Sequence, residues 1–218
     1  MKLILSAPVP AMAEAFRNAF EGMENVEVVE APFETISEFD CMVSAANSFG
    51  LMDGGVDAAI TAFFGTQLQS RVQKHIIDYW CGEQPVGTAF VIGSGKASYP
   101  WLVHAPTMRT PSIIAGTDSV YAATWAALMA IEKHNSEHYG HSRIHSVVFP
   151  AMGAGCGEVP FESVAAQMKL AWHNANNPPA AITWDYALSR TKAIVQAIHG
   201  DPDAPYDEAL KSNLSAYQ

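Results

Sequence analysis

At 218 residues the chain is long enough to bury one full core and short for two independent ones. Hydrophobic residues make up 49% and charged residues 16%, a globular balance that excludes a disordered tail. A formal net charge of −10, with no cluster of Lys or Arg, opposes the basic face that polynucleotide binding needs. Cys41, Cys81 and Cys156 form no CxxC pair and read as free thiols of a reducing compartment. The apolar run after Met1 is too short for a secretory signal, and Pro8 and Pro10 interrupt it. No stretch reaches transmembrane length. The expectation is a soluble cytoplasmic protein with no membrane partner and no direct sequence-specific contact with nucleic acid.

Residues 2–6 read as a short buried strand, followed by a Pro-containing turn and a helix over 11–20. Residues 26–30 alternate apolar and acidic side chains, as a half-exposed strand does. Residues 39–46 form an apolar strand that runs into a loop, 47–55, with three glycines. Ile60, Phe64, Leu68, Val72 and Ile76 recur every four residues, which predicts a helical region that Gly65 breaks or bends. Strands are predicted over 88–92 and 101–104, a helix over 118–138, and a central strand over 144–149. After a second glycine loop comes a helix over 162–173, a breaker at 174–179 and a final helix over 184–198. The tail from Gly200 is polar. Strands alternating with helices imply an α/β fold with a layered sheet and ligands at the strand ends.

Two loops carry the chemistry. Gly54 and Gly55 immediately precede a helix start, so bare backbone can approach a ligand where free N–H groups and the helix dipole favour a phosphate. Asn47, just after the strand, offers a donor and an acceptor to a sugar hydroxyl. In the second loop Gly153, Gly155 and Gly157 alternate between a strand and a helix, a spacing that lets successive N–H groups point inward as an anion nest. Neither loop is a Walker loop or a Rossmann turn. Either alone is read as readily as a tight turn; the pair is what specifies an anion site.

The order and content of these segments resemble the macro domain family. That resemblance rests on Val43-Ser44-Ala45-Ala46-Asn47, then Gly54-Gly55-Val56-Asp57, then Leu102-Val103-His104-Ala105-Pro106, then Pro150-Ala151-Met152-Gly153-Ala154-Gly155. It spans roughly residues 26–172, and the stretch from Ala46 to Gly55 resembles a divergent bacterial or phage-type branch. It implies a three-layer α/β/α domain with a mixed, mostly parallel sheet over residues 1–175, counting a strand and helix added at the N-terminus. Residues 176–218 would be a helical extension packed on it. The implied ligand is ADP-ribose, a related NAD-derived nucleotide, or an ADP-ribosylated macromolecule. No cofactor and no metal are implied.

By position, the resemblance assigns Asn47 to the distal ribose and the backbone of Gly54, Gly55 and Val56 to a phosphate, with Ala46 lining the site; Asp53, a ligand-site candidate before the glycines, reads as orienting water near the anomeric carbon or as holding the turn. Gly153, Ala154, Gly155, Cys156, Gly157 and Glu158 would wrap the diphosphate and distal ribose. Phe33 stands where the family carries its adenine-reading Asp, with Glu34 beside it to accept the exocyclic amine. Ser44 replaces the first Asn of the strand motif, Thr61 replaces a His of some hydrolytic members, and Gly157-Glu158 replace an aromatic-glycine pair. Asp57 reads two ways, as an acid favoured by the helix dipole or as a carboxylate that activates water near the anomeric carbon. Asn47 and Asp57 are the candidate catalytic pair, with ADP-ribosyl hydrolysis (of a 1″-phosphate or a protein linkage) the implied activity. The alternative is a non-enzymatic nucleotide sensor or interaction module. His104 reads as a hydrogen-bonded core histidine and Cys156 as a lining residue rather than a nucleophile. Trp101, Trp125 and Trp172 read as core.

Overall fold

The computed structural model describes residues 1–201, so the polar tail and the end of the extension, 202–218, lie outside the described residues. Six strands, β1 (Lys2–Ser6), β2 (Val26–Val29), β3 (Cys41–Asn47), β4 (Phe90–Gly93), β5 (Trp101–Met108) and β6 (Ser146–Pro150), form one sheet in the order β2-β1-β6-β3-β5-β4. All pairings are parallel except β4 with β5. The sheet is sandwiched between helices α1 (Pro10–Ala19), α4 (Ser119–Glu137) and α5 (Phe161–Asn176) on one face and α2 (Gly55–Phe64) and α3 (Gln67–Trp80) on the other. Helix α6 (Trp184–His199) packs outside α5. This is the three-layer α/β/α architecture the sequence implies.

Strand alternation builds both cores. Leu3, Leu5, Val43, Val103, Val147 and Phe149 point to the α1, α4 and α5 layer, while Ile4, Met42, Leu102 and Val148 point to the α2 and α3 layer. With both faces covered, β1, β3, β5 and β6 are almost wholly buried, which is why they read as apolar runs. Strand β1 pairs with both β2 and β6, so the N-terminal strand lies inside the sheet.

Two boundaries differ from the sequence reading for identifiable reasons. Strand β5 continues past His104 through Pro106 to Met108. Its β4 partner covers only Trp101 to His104, while β3 pairs along it through Pro106 to Met108. Ile144 lies outside β6, which begins at Ser146; its N–H donates to Asn135 Oδ1 at 2.7 Å and its carbonyl accepts from Asn135 Nδ2 at 2.9 Å. The helical region does break at Gly65, which adopts φ +97 between α2 and α3.

Arg190 ties helix α6 to α4, and Ser163 of α5 holds its last turn through the Ala197 and Ile198 carbonyls. The Arg190 guanidinium stacks 4.2 Å from the Trp125 ring centroid, and its Nε and Nη2 donate to Tyr121 Oη at 3.0 and 2.7 Å. Cation–π stacking plus a charged donor contributes about 1–2 kcal/mol at such a half-buried position. Arg190→Ala is therefore expected to speed hydrogen exchange of the α6 amides by about tenfold, with the β1, β3 and β6 amides unchanged in the same mass-spectrometric experiment.

Candidate functional site

The parallel strands β1, β6, β3 and β5 finish at one edge of the sheet, and the connections that follow them converge there. From β1 the chain steps outward to β2, whereas from β3 it steps the other way to β5 and β4. Connections diverging to the two sides open a crevice at the strand ends. The cleft found there has a volume of about 620 Å³.

One wall is the loop after β3. The Asn47 amide closes this loop: Nδ2 donates to the Leu51 carbonyl at 2.7 Å, and Oδ1 accepts from the N–H groups of Phe49 and Leu51 at 3.1 and 3.3 Å. Met52 is buried, its N–H donating to Gln69 Oε1 at 2.8 Å and its carbonyl accepting from Thr61 Oγ1 at 3.0 Å. Thr61 thus anchors the loop from α2. Gly54 then caps α2 without a side-chain partner and Gly55 turns through φ +53. A Cβ on either would meet nothing within 4 Å, so both face open space. The N–H groups of Gly55, Val56 and Asp57 have no hydrogen-bond partner among the described residues. This is the free end of a helix, with its dipole aimed into the cleft.

The opposite wall is the loop after β6. Gly153 takes φ +76, and a Cβ there would lie 2.9 Å from Val120 Cγ2. A Cβ on Gly157 would lie 2.5 Å from the Gly153 carbonyl oxygen and 2.7 Å from Ile114 Cγ1. The Ile114 N–H donates to the Gly157 carbonyl at 2.9 Å. The aromatic ring that the family pattern carries at Gly157 therefore has no room; Ile114 and the Gly153 carbonyl fill that space. Gly155, by contrast, faces open space. The N–H groups of Gly155, Cys156 and Gly157 have no partner among the described residues, as an anion nest requires.

The cleft is lined by Phe33, Glu34, Ala46, Asn47, Asp53, Gly54, Gly55, Val56 and Asp57, and by Gly153, Ala154, Gly155, Cys156 and Gly157. Glu158 does not line it; it is exposed with φ +51, so it occupies the left-handed position where the family has glycine. Three further elements that sequence reasoning missed complete the walls: the β1–α1 turn with Pro8 and Val9, the end of β5 with Thr107 and Met108, and Phe161 at the start of α5. The Pro8-Val9-Pro10 turn after a parallel strand was the available signal for the first of these.

Asp57 is the most perturbed acid of the site. It is 5% exposed and accepts a 2.6 Å hydrogen bond from the Ser44 hydroxyl, which reaches it from β3. Burial pushes its pKa up to about 6; the Ser44 bond opposes the rise and the nearby Asp53 carboxylate adds to it. Ser44, which stands in place of the motif's first Asn, is thus the direct partner of Asp57. At the other end, Phe33 is buried in a single 3₁₀ turn (Phe33–Thr35) and packs edge-on against Phe63 at 5.4 Å, while Glu34 is exposed at the cleft. Phe33 is therefore floor rather than a polar reader of a base. His104 is fully buried with Nδ1 2.6 Å from Gln84 Oε1, and burial lowers its pKa to about 3. It is a neutral core histidine. Among the described residues no three His, Cys, Asp or Glu side chains converge as metal ligands, and no helix is long and apolar enough to cross a membrane.

Fold and cleft together define a three-layer α/β/α domain whose strand-end cleft is walled by two runs of unpartnered backbone amides. The chain belongs to the macro domain family: residues 43–168, more than half of it, match the Macro domain model. An uncharacterized protein of Aquifex aeolicus (strain VF5) is 33% identical over 145 residues, covering 66% of this chain and 78% of that protein. An uncharacterized protein of Aeropyrum pernix is 28% identical over 132 residues, covering 61% of this chain and 62% of that protein. Among solved structures, the macrodomain of Mycobacterium tuberculosis DarG matches with a TM-score of 0.52 at 19% identity, over 64% of this chain and 84% of that chain. The Oceanobacillus iheyensis macrodomain with ADP matches at 0.54 and 19% identity, over 67% of this chain and 75% of that one. A mutant of that macrodomain with ADPR matches at 0.51 and 19%, over 63% and 72%.

Two outcomes test this geometry. Gly157→Ala drives a Cβ into a backbone carbonyl and is expected to destabilise the fold by about 2 kcal/mol or more, whereas Gly155→Ala leaves the urea midpoint nearly unchanged. Asp57 has a folded pKa above its unfolded value. Its contribution is therefore fully present below the unfolded value near 3.8 and is lost as pH rises through about 6. Asp57→Asn, which keeps an acceptor for Ser44, is expected to raise stability by about 2 kcal/mol at pH 8 and by almost nothing at pH 4.

Proposed function

We propose that this chain binds an ADP-ribosyl group, free or attached to a macromolecule, with its diphosphate between the two glycine loops. The observation that carries the reading is the pair of unpartnered amide runs on opposite walls of one cleft: Gly55, Val56 and Asp57 facing Gly155, Cys156 and Gly157. Two phosphates held by N–H groups from both sides match that arrangement. Membership in the macro domain family and the ADP- and ADPR-bound relatives support it.

The activity that fits the site is hydrolysis of the bond at the ribose C1″. Water oxygen bonds to C1″, the C1″–leaving-group bond breaks with its electron pair going to the leaving group, and the water proton passes to Asp57. A buried carboxylate with a pKa near 6 is suited to that proton transfer near neutral pH. The rate then rises as pH increases through about 6, where Asp57 becomes the base. Asp57→Ala is expected to lower turnover by about a hundredfold while calorimetry still detects ligand.

A second reading, a non-enzymatic reader, is favoured by Asn47. Its amide is committed to its own loop, with Oδ1 already accepting two bonds. Calorimetry with ADP-ribose, NAD and AMP followed by product analysis separates the two. A Kd of about 10 µM or tighter for ADP-ribose with release of product supports the hydrolase; the same Kd with no product supports the reader. Binding of none of the three overturns both.

A further inference from the structure

We infer that the cleft binds its anionic ligand together with one proton, which Asp57 stores, and that Ser44 is the positioning residue setting the pH of this uptake. The inference rests on the ADP-ribosyl reading above and adds regulation of the same site. Asp57 meets the ligand site in two ways. Its N–H is one of the three open donors on the α2 wall. Its carboxyl belongs to the same first turn of α2, lines the cleft and is 5% exposed. A phosphate held by those amides therefore stands close to a buried carboxyl. Like charges so placed in a poorly solvated cleft repel strongly, and the lower-energy state is the protonated carboxyl.

The surrounding groups leave the proton on Asp57. Among the described lining residues only Glu34, Asp53, Asp57 and Cys156 titrate, and none is Lys, Arg or His. Glu34 and Asp53 are exposed, so water solvates their charge; Asp57 is buried. Burial pushes the Asp57 pKa up to about 6, the Ser44 hydroxyl opposes the rise and the Asp53 carboxylate adds to it. A bound phosphate acts in the same direction as Asp53. Ser44, fully buried on β3, donates to Asp57 at 2.6 Å and so favours the ionised form. Cations on neighbouring elements are engaged elsewhere. On α3, Arg71 donates to the Ser94 carbonyl, Lys74 pairs with Asp78 and His75 stacks on Phe90. Lys96, between β4 and β5, sits 4.0 Å from the ring centroid of Phe63, at the far end of α2. Arg17 of α1 pairs with Glu30, and Arg109 with Glu83. A group whose pKa rises on binding takes up a proton, so affinity is greatest below about 6 and falls as pH rises. Where turnover occurs, the midpoint of kcat lies above that of kcat/KM.

The probe is ADP-ribose, because a diphosphate esterified at both ends lacks the ionisation near pH 6 of a phosphate monoester. Calorimetry on the full chain, in two non-phosphate buffers of different ionisation enthalpy, counts the protons taken up. The expected result is uptake of about half a proton or more at pH 7, with Kd weakening about tenfold from pH 6 to pH 8. Asp57→Asn should abolish the uptake and make Kd independent of pH. Ser44→Ala should move the fall in affinity upward by about one pH unit. The Asp57 carboxyl carbon should report the same displacement in an NMR titration of the ligand-free protein. Uptake below about 0.3 proton at pH 7, or equal uptake in Asp57→Asn, overturns the linkage while leaving ADP-ribosyl binding standing. A pH profile that Ser44→Ala leaves unmoved overturns the role of Ser44. Failure of ADP-ribose to bind even at about pH 5.5, where affinity should be greatest, overturns both the linkage and the ADP-ribosyl reading.

Discussion

Six backbone N–H groups, three on each wall of the cleft, have no acceptor within the described protein, and much of the fold serves to keep them so. A backbone donor left unpaired is unfavourable unless solvent or a ligand reaches it. On the first wall the donors are the unavoidable orphans of a helix start, aimed into the cleft because Gly54 supplies no capping side chain. On the second wall they are produced by a loop that closes on itself. Gly157 must lack a side chain for the Gly153 carbonyl to approach, and Ile114 supplies both the apolar filler and the N–H that holds the Gly157 carbonyl. An anion bound there as proposed would be held by dipoles rather than cations, and geometry would carry its affinity.

The side chains around this cradle divide into those that hold it and those exposed to a ligand. Asn47, Thr61 and Gln69 spend their hydrogen bonds on the first loop. Ser44 spends its on Asp57, leaving a buried carboxyl at the cleft with one oxygen satisfied from the strand below. A carboxyl so placed is neutral more readily than an exposed one, and its protonation state is coupled to any anion bound by the adjacent amides. Glu34 and Asp53 remain outward at the rim.

Much of this was legible in the sequence, because the signals were local. Both glycine loops, the parallel-sheet apolar runs and the Gly65 helix break each declare themselves within a few residues. What was not legible depends on partners far apart in the chain. Ser44 and Asp57 meet because the strand and helix they occupy are neighbours, and nothing in the spacing of a Ser and an Asp announces it. Phe33 reads as a base-binding position by alignment but is buried against Phe63, thirty residues on. Gly157 reads as a lost aromatic ring, whereas Ile114, more than forty residues earlier, occupies the space. Glu158 reads as part of the wall but is turned out by its left-handed backbone.

The outer helix bears on the cleft through a continuous line of contacts. Ser163, in the first turns of α5, directs its hydroxyl to the carbonyls of Ala197 and Ile198 at 3.2 and 3.0 Å and accepts from Gln167 Nε2 at 3.1 Å. Gln167 in turn accepts the Tyr121 N–H at 3.0 Å, and the Tyr121 hydroxyl receives Arg190 from α6. Tyr121 follows Val120, whose methyl bounds the space at Gly153, and Phe161 at the start of α5 lines the cleft. Helix α6 therefore braces α4 and α5 at the ends that support the second loop. The bracing therefore reaches the second loop's unpartnered amides without touching them: a shift of a few tenths of an ångström at Val120 would move the donors that the proposed diphosphate would have to meet.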